Sequence, residues 1–184
     1  MGGTFDPIHY GHLVTAEEAL VQFNLDRVVF MPTGRPARKE EREVSPAEHR
    51  YLMTVIATAS NPDFTVSRLE VDRPGVTYTV DTVLELRSIH GPDTELFFIT
   101  GADAVLDIVT WKDSGRLADV CTFIAATRPG YDISDFTRRA AAANLRVELM
   151  AVPALAISST DIRARATSGW RSRSRRRGRT HRRR

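Results

Sequence analysis

Short apolar or β-branched runs alternate along this chain with stretches whose apolar residues recur every three or four positions. The runs Arg27–Met31, Phe64–Ser67, Glu95–Thr100, Cys121–Ala126 and Leu145–Ala151 read as strands. Helical spacing predicts helices at about 11–23, 46–60, 79–90, 101–108, 134–143 and 159–167. In the first of these, Leu13, Ala16 and Leu20 share a face. Ser45-Pro46-Ala47-Glu48 predicts a capping box for the second helix, with proline at its first helical position. Near-continuous apolar strands separated by helices imply an α/β fold, a doubly wound and mostly parallel sheet covered on both faces. In such a sheet ligands bind beyond the carboxyl ends of the strands.

Charge changes this picture only at one end. The 184 residues carry a formal +3, but Arg171 to Arg184 hold nine arginines and no acid. Residues 1–170 then set 17 basic against 23 acidic side chains, a formal charge of −6. A folded nucleic-acid-binding domain carries its basic stripe within the fold; this body does not, so no specific nucleic-acid partner is expected. Residues 1–169 read as one domain able to bury a core, and residues 170–184 as an arginine-rich tail without core-forming positions, expected to be disordered. Non-specific binding of RNA by counterion release would be incidental to that tail. The single cysteine, Cys121, excludes an internal disulfide and fits a reducing compartment. No apolar run reaches the roughly 20 residues of a membrane span, and the N-terminus lacks the pattern of a secretory signal. The expected location is cytoplasmic, with no membrane partner; self-association is left open.

Candidate chemistry begins at Gly2-Gly3-Thr4-Phe5-Asp6-Pro7-Ile8-His9-Tyr10-Gly11-His12. The glycines let backbone pass close to a ligand, and Asp6-Pro7 makes a turn. Helical spacing from about Gly11 puts His9 and His12 near a helix N-terminus, where free N–H groups and the macrodipole favour an anion. Two neutral donors aimed at one point suit a phosphoryl group gaining charge in its transition state. The bland alternative is a glycine turn with surface histidines. A second segment, Ile157-Ser158-Ser159-Thr160-Asp161-Ile162-Arg163, has capping-box spacing between Ser158 and Asp161 and so predicts another helix start. Three hydroxyls there, with Arg163 one turn in, form a second anion site; an ordinary capped surface helix is the alternative. Together the two segments suggest a polyphosphate gripped from both sides.

The pair "GGTFDPIHYGH" and "ISSTDIR" resembles the HxGH nucleotidyltransferase superfamily, and within it the bacterial nicotinate-nucleotide adenylyltransferases. The likeness covers roughly Met1 to Gly169 and takes in "PTGRPARK", "TYTVDT", "TGADA", Trp111 and "RPG". It implies a Rossmann-like fold and direct transfer of the adenylyl group of ATP to nicotinate mononucleotide, with pyrophosphate leaving. His9 and His12 match the motif histidines on the ATP phosphates, and His12 is the better candidate for stabilising charge at the α-phosphate. Gly3, Thr4 and Phe5 match a backbone cradle. Ile157, Ser158, Ser159, Thr160 and Arg163 match the β/γ-phosphate grip, and Gly101 with Asp103 the segment at the adenosine ribose. Lys39 matches a phosphate contact near the mononucleotide; Thr79, Thr82 and Trp111 match the pyridine pocket. Read without the resemblance, Trp111 is also a packing residue, Asp103 a first-turn acid, Lys39 part of a solvated charged run, and Thr79 a plain helix start.

The resemblance further implies Mg²⁺ carried on the polyphosphate by substrate oxygens and water, and no protein metal ligands. A covalent intermediate is not expected, since Cys121 sits in an apolar run without an evident base. Two departures stand out. Family members begin several apolar residues earlier, so most of the first, central strand is expected to be lacking here, leaving two strand edges inside the sheet and low stability. After Gly169 the family continues into an apolar aromatic segment and a final helix, where this chain has its arginine-rich tail. The rivals are an adenylyltransferase acting on phosphopantetheine or nicotinamide mononucleotide, a tail-driven nucleic-acid-binding protein without turnover, and a non-catalytic nucleotide-binding module.

Overall fold

The computed structural model describes residues 1–36, 44–102, 104–105, 114–127, 133–142 and 144–168. Lys39, Asp103, Trp111 and the arginine-rich tail lie outside the described residues, as does half of the predicted helix at 101–108.

The elements run β1 (Gly2–Gly3), α1 (Tyr10–Gln22), β2 (Val28–Pro32), β3 (Arg35–Pro36), α2 (Ala47–Thr58), β4 (Phe64–Val66), β5 (Val76–Thr77) and α3 (Thr79–His90). The second half continues with β6 (Phe97–Gly101), α4 (Ser114–Val120), β7 (Thr122–Thr127), α5 (Ile133–Ala142), β8 (Val147–Ala151) and α6 (Ser159–Thr167). Among the described residues every strand pairing is parallel, in the orders β1-β2-β4, β3-β5 and β6-β7-β8. Gly2 brings β1 against β6, since a Cβ there would sit 3.3 Å from the Phe98 ring.

Adjacent residues of β7 show how the layers form. Phe123 and Ile124 are both fully buried, yet they point to opposite faces, as successive strand residues must. Ile124 joins Phe30, Ile99 and Met150 from three other strands beneath Ala16 and Ala19 of α1. Phe123 packs on the other side with Val80 and Val83 of α3, Leu117 of α4, and Phe136 and Ala140 of α5. Helices therefore cover both faces, which is the doubly wound arrangement and explains why these strands read as unbroken apolar runs.

β1 pairs with β2 only through Gly2↔Met31 and Gly3↔Pro32. Beyond it a cavity of about 780 Å³ separates β2 from β6, lined in part by Met1, Val28, Val29, Phe97, Phe98 and Ile99. This cavity is the interval between two strand edges, and none of His9, His12, Ser158 or Arg163 lines it.

Two local expectations need correction. The capping box at Ser45 does not form: Pro46 is the N-cap of α2 and makes no side-chain cap bond. Ser45 is held instead by its main chain, with its N–H donated to Asp6 Oδ2 and its carbonyl taken by Arg50, while Glu48 turns to Arg68. The helix at Ser114–Val120 and the two-residue strands β3 and β5 were not predicted, since segments that short carry no measurable period; β1 is the short remnant expected of the first strand.

Candidate phosphate-binding site

The loop leaving β1 enters α1 through His9, an extended N-cap residue with φ −151°. His9 Nδ1 accepts the Gly11 N–H at 3.1 Å, and His12 Nδ1 accepts the His9 N–H at 3.2 Å. The pair is thus a reciprocal capping box built from imidazoles. With Nδ1 an acceptor in each ring, the neutral tautomer carries its proton on Nε2. Burial pushes the His12 imidazole down to about 4, with the neighbouring His9 adding to the shift. His9 is lowered in the same way by burial. The rings stack 3.9 Å apart between centroids, so the helix start presents two uncharged Nε2–H donors side by side.

Two neighbours make that geometry. Gly11 is required because a Cβ would lie 2.9 Å from His9 Cε1, inside contact distance. Phe5, at φ +48°, is buried with its ring edge-on to His12 at 5.1 Å and against Phe30 at 5.9 Å. A non-glycine residue in the left-handed region is strained, and ring burial holds it there.

The C-terminal segment arrives at the same loop. Ser158 caps α6 as its spacing predicts, accepting the Asp161 N–H at 3.1 Å. Only that half of the box forms, because Asp161 pairs with Arg165 at 2.9 Å. Ser159 Oγ donates to the Pro7 carbonyl at 2.8 Å, and Arg163 Nη1 donates to the Asp6 carbonyl. Ile157 stands beside Gly11, 3.6 Å from where a Cβ would be. His9, His12, Gly3, Thr4, Phe5, Ile157, Ser158, Ser159 and Arg163 are thereby gathered around one loop; Thr160 is exposed in the first turn of α6. Gly101 lies exposed at the end of β6.

The α3 start differs from expectation in one respect. Thr79 begins that helix, but Thr82 is buried, donating to Glu70 Oε1 at 2.7 Å and accepting from Arg73 Nη1 at 2.8 Å. Its hydroxyl is engaged within the protein. Burial raises the Glu70 carboxyl to about 7, with the Thr82 hydroxyl and Arg73 opposing the shift. Sequence reasoning also missed Asp6 and Arg50, both buried beside the loop. Arg50 carried a legible signal, since it shares a helical face with Met53, Thr54 and Ala57.

Among the described residues no group of three or more His, Cys, Asp or Glu could hold a metal ion, and no helix is long and apolar enough to cross a membrane.

The cytidylyltransferase-like family matches residues 1–165. A "probable nicotinate-nucleotide adenylyltransferase" of Streptomyces coelicolor is 58% identical over 169 residues, 92% of this chain and 87% of that one. A protein of the same description from Moorella thermoacetica is 57% identical, over 90% of this chain and 78% of its own. The solved Plasmodium falciparum nicotinic acid mononucleotide adenylyltransferase complexed with NaAD superposes with a TM-score of 0.72 at 21% identity, covering 89% of this chain and 80% of that one; this likeness speaks to the fold. Two helix starts that meet at one loop, on a parallel sheet and in a sequence this close to its relatives, leave one conclusion: the chain belongs to the cytidylyltransferase-like family, in its nicotinate-nucleotide adenylyltransferase branch.

Proposed function

We propose that this chain transfers the adenylyl group of ATP to nicotinate mononucleotide, giving nicotinate adenine dinucleotide and pyrophosphate. The observation that carries the reading is the meeting of His9 and His12 with the Ser158–Arg163 segment around one loop, in a chain whose relatives carry that description.

A phosphate oxygen of the mononucleotide attacks the α-phosphorus of ATP; the bond from that phosphorus to the bridging oxygen of the pyrophosphate breaks, and pyrophosphate leaves. The nucleophile is already ionised at neutral pH, so no general base is needed. Catalysis then rests on alignment and on charge stabilisation. The Nε2–H groups of His9 and His12 serve as preorganised donors to the oxygens of the α-phosphate, with His12 the better candidate for the charge that develops there. Because both rings are neutral, this stabilisation comes from aimed dipoles without a proton transfer. Gly3, Thr4 and Phe5 supply backbone to the phosphates, and Ser158, Ser159, Thr160 and Arg163 take the β- and γ-phosphates. Arg163 has five N–H donors, so it can keep its bond to the Asp6 carbonyl while gripping phosphate. Mg²⁺ enters as part of the substrate, on the polyphosphate oxygens.

Gly101 and Asp103 are assigned to the ribose of ATP, and Lys39, Thr79, Thr82 and Trp111 to the mononucleotide. Since the Thr82 hydroxyl is held by Glu70, its contribution is to fix the start of α3 beneath Thr79. The lone, buried Cys121 supports a cytoplasmic location. The test is pyrophosphate release with ATP and a panel of acceptors: nicotinate mononucleotide, nicotinamide mononucleotide and phosphopantetheine. Nicotinate mononucleotide is expected to give the highest kcat/KM; preference for another acceptor, or no release with any, would overturn the reading.

A further inference from the structure

Arg50 is 1% exposed, the largest fully buried side chain among the described residues. It makes no contact ion pair among the described residues. Its guanidinium goes instead to three main-chain carbonyls: Nη1 to Thr4 at 2.7 Å, Nη2 to Gly34 at 2.9 Å and Nε to Ser45 at 2.8 Å. Those carbonyls belong to three separate segments. Thr4 lies in the phosphate loop, Gly34 in the turn after β2 that leads towards Lys39, and Ser45 just before α2. The Ser45 N–H returns to Asp6 Oδ2 at 3.1 Å, and the Thr33 N–H reaches the Gly3 carbonyl at 2.9 Å. The fork therefore ties the candidate ATP loop to a turn that lies five positions before Lys39 in the sequence.

We propose that Arg50 is a positioning residue: its three-carbonyl fork fixes the Thr4 loop against the Gly34 turn, and so aligns the mononucleotide phosphate with the α-phosphorus. This rests on the adenylyl-transfer reading. A rigid, planar fork suits the task because its N–H directions are fixed, whereas a lysine ammonium is a single point on a flexible stem. The bond to Thr4 also polarises the peptide whose other end is the Phe5 N–H, strengthening that donor towards phosphate. Burial lowers the guanidinium from its usual range, with the charges of Asp6 and Glu70 opposing the shift; arginine remains a cation in proteins.

The test is Arg50→Lys, read by native-state hydrogen exchange and by steady-state kinetics. Exchange at the Thr33 and Ser45 amides is expected to quicken about tenfold or more, while the Phe123 amide, bonded to the Arg146 carbonyl across β7 and β8, stays at the wild-type rate. kcat should fall about tenfold or more with both KM values near wild type, the signature of lost alignment. Wild-type exchange at Thr33 and Ser45, or equal acceleration at Phe123, overturns the proposal, as does an unchanged kcat. Should Arg50→Lys fail to fold, Gly34→Ala takes its place. Its Cβ would meet the Glu70 carbonyl oxygen at 2.0 Å and shift the Gly34 carbonyl. Faster exchange at Ser45, eleven residues away, would show transmission through the fork, and an unchanged Ser45 rate would refute it. This exchange pattern in Arg50→Lys, together with no pyrophosphate release by the wild-type protein, would count against the reaction and leave the fork standing.

Discussion

Arg163 and Asp6, 157 positions apart in the chain, are joined by a hydrogen bond from the guanidinium Nη1 to the Asp6 main-chain oxygen. Ser159 adds a second tie, to the Pro7 carbonyl. The loop between β1 and α1 is therefore fixed from the far end of the fold before any nucleotide arrives. Preorganisation of this kind removes part of the ordering cost from the binding step, and it places the hydroxyl-rich start of α6 beside the paired imidazoles.

His12→Ala is expected to lower kcat about 100-fold or more, the scale for losing one preorganised donor. The fold should survive, since the loss of a helix cap costs about 1 kcal/mol. A folded variant with near-normal turnover would remove His12 from the catalytic role.

With His12 in the proposed role of a neutral donor, turnover should not rise as pH drops towards its usual imidazole range. With a pKa of about 4 in the fold, its contribution to kcat should hold between about pH 8 and 5 and decline below that. A kcat that climbs through about pH 6.5 would mean the imidazolium is the working form.

Gly11→Ala tests the imidazole pair from its backbone side. The new Cβ would press on the His9 ring at 2.9 Å, at a cost of about 1–3 kcal/mol for overpacking. Turnover should fall with the displaced ring, and a high-resolution structure should show the His9–Gly11 bond broken. Wild-type kinetics in this variant would show that the ring position is not needed.

Glu70 and His12 set opposite slopes in the dependence of stability on pH. Burial raises Glu70 from 4.5 to about 7, so its stabilisation is full below about pH 4.5 and lost as pH rises through about 7. His12 is lowered from 6.5 to about 4, so its stabilisation is present above about pH 6.5 and lost as pH falls through about 4. Glu70→Gln should flatten the decline between about pH 4.5 and 7 by up to about 1.4 kcal/mol per pH unit, the limit for one proton. Urea unfolding across that range measures it, and an unaltered slope would contradict the assignment.

The long strands and helices were legible because burial on one or both faces writes a period into the sequence. β7 reads as an apolar run because Phe123 and Ile124 meet helices on opposite sides. Ser158 was legible as a cap because an N-cap hydroxyl needs only local spacing. Ser45 was not: its spacing is equally good, but the tertiary contacts of Asp6 and Arg50 claim its backbone. The imidazole capping box was hidden for a related reason, since histidine is not among the common capping residues and its role depends on Gly11 leaving room for the ring. That Thr82 turns its hydroxyl to Glu70 could not be read from spacing, because the partner comes from another loop.

The central claim, that the two ends of the folded domain make one triphosphate site, is tested most directly by calorimetric titration of a non-hydrolysable ATP analogue into wild type and Arg163→Ala. Loss of a charge-assisted grip predicts an affinity about tenfold or more weaker for the analogue, with nicotinate mononucleotide bound as before. Equal affinity of both proteins for the analogue would contradict it.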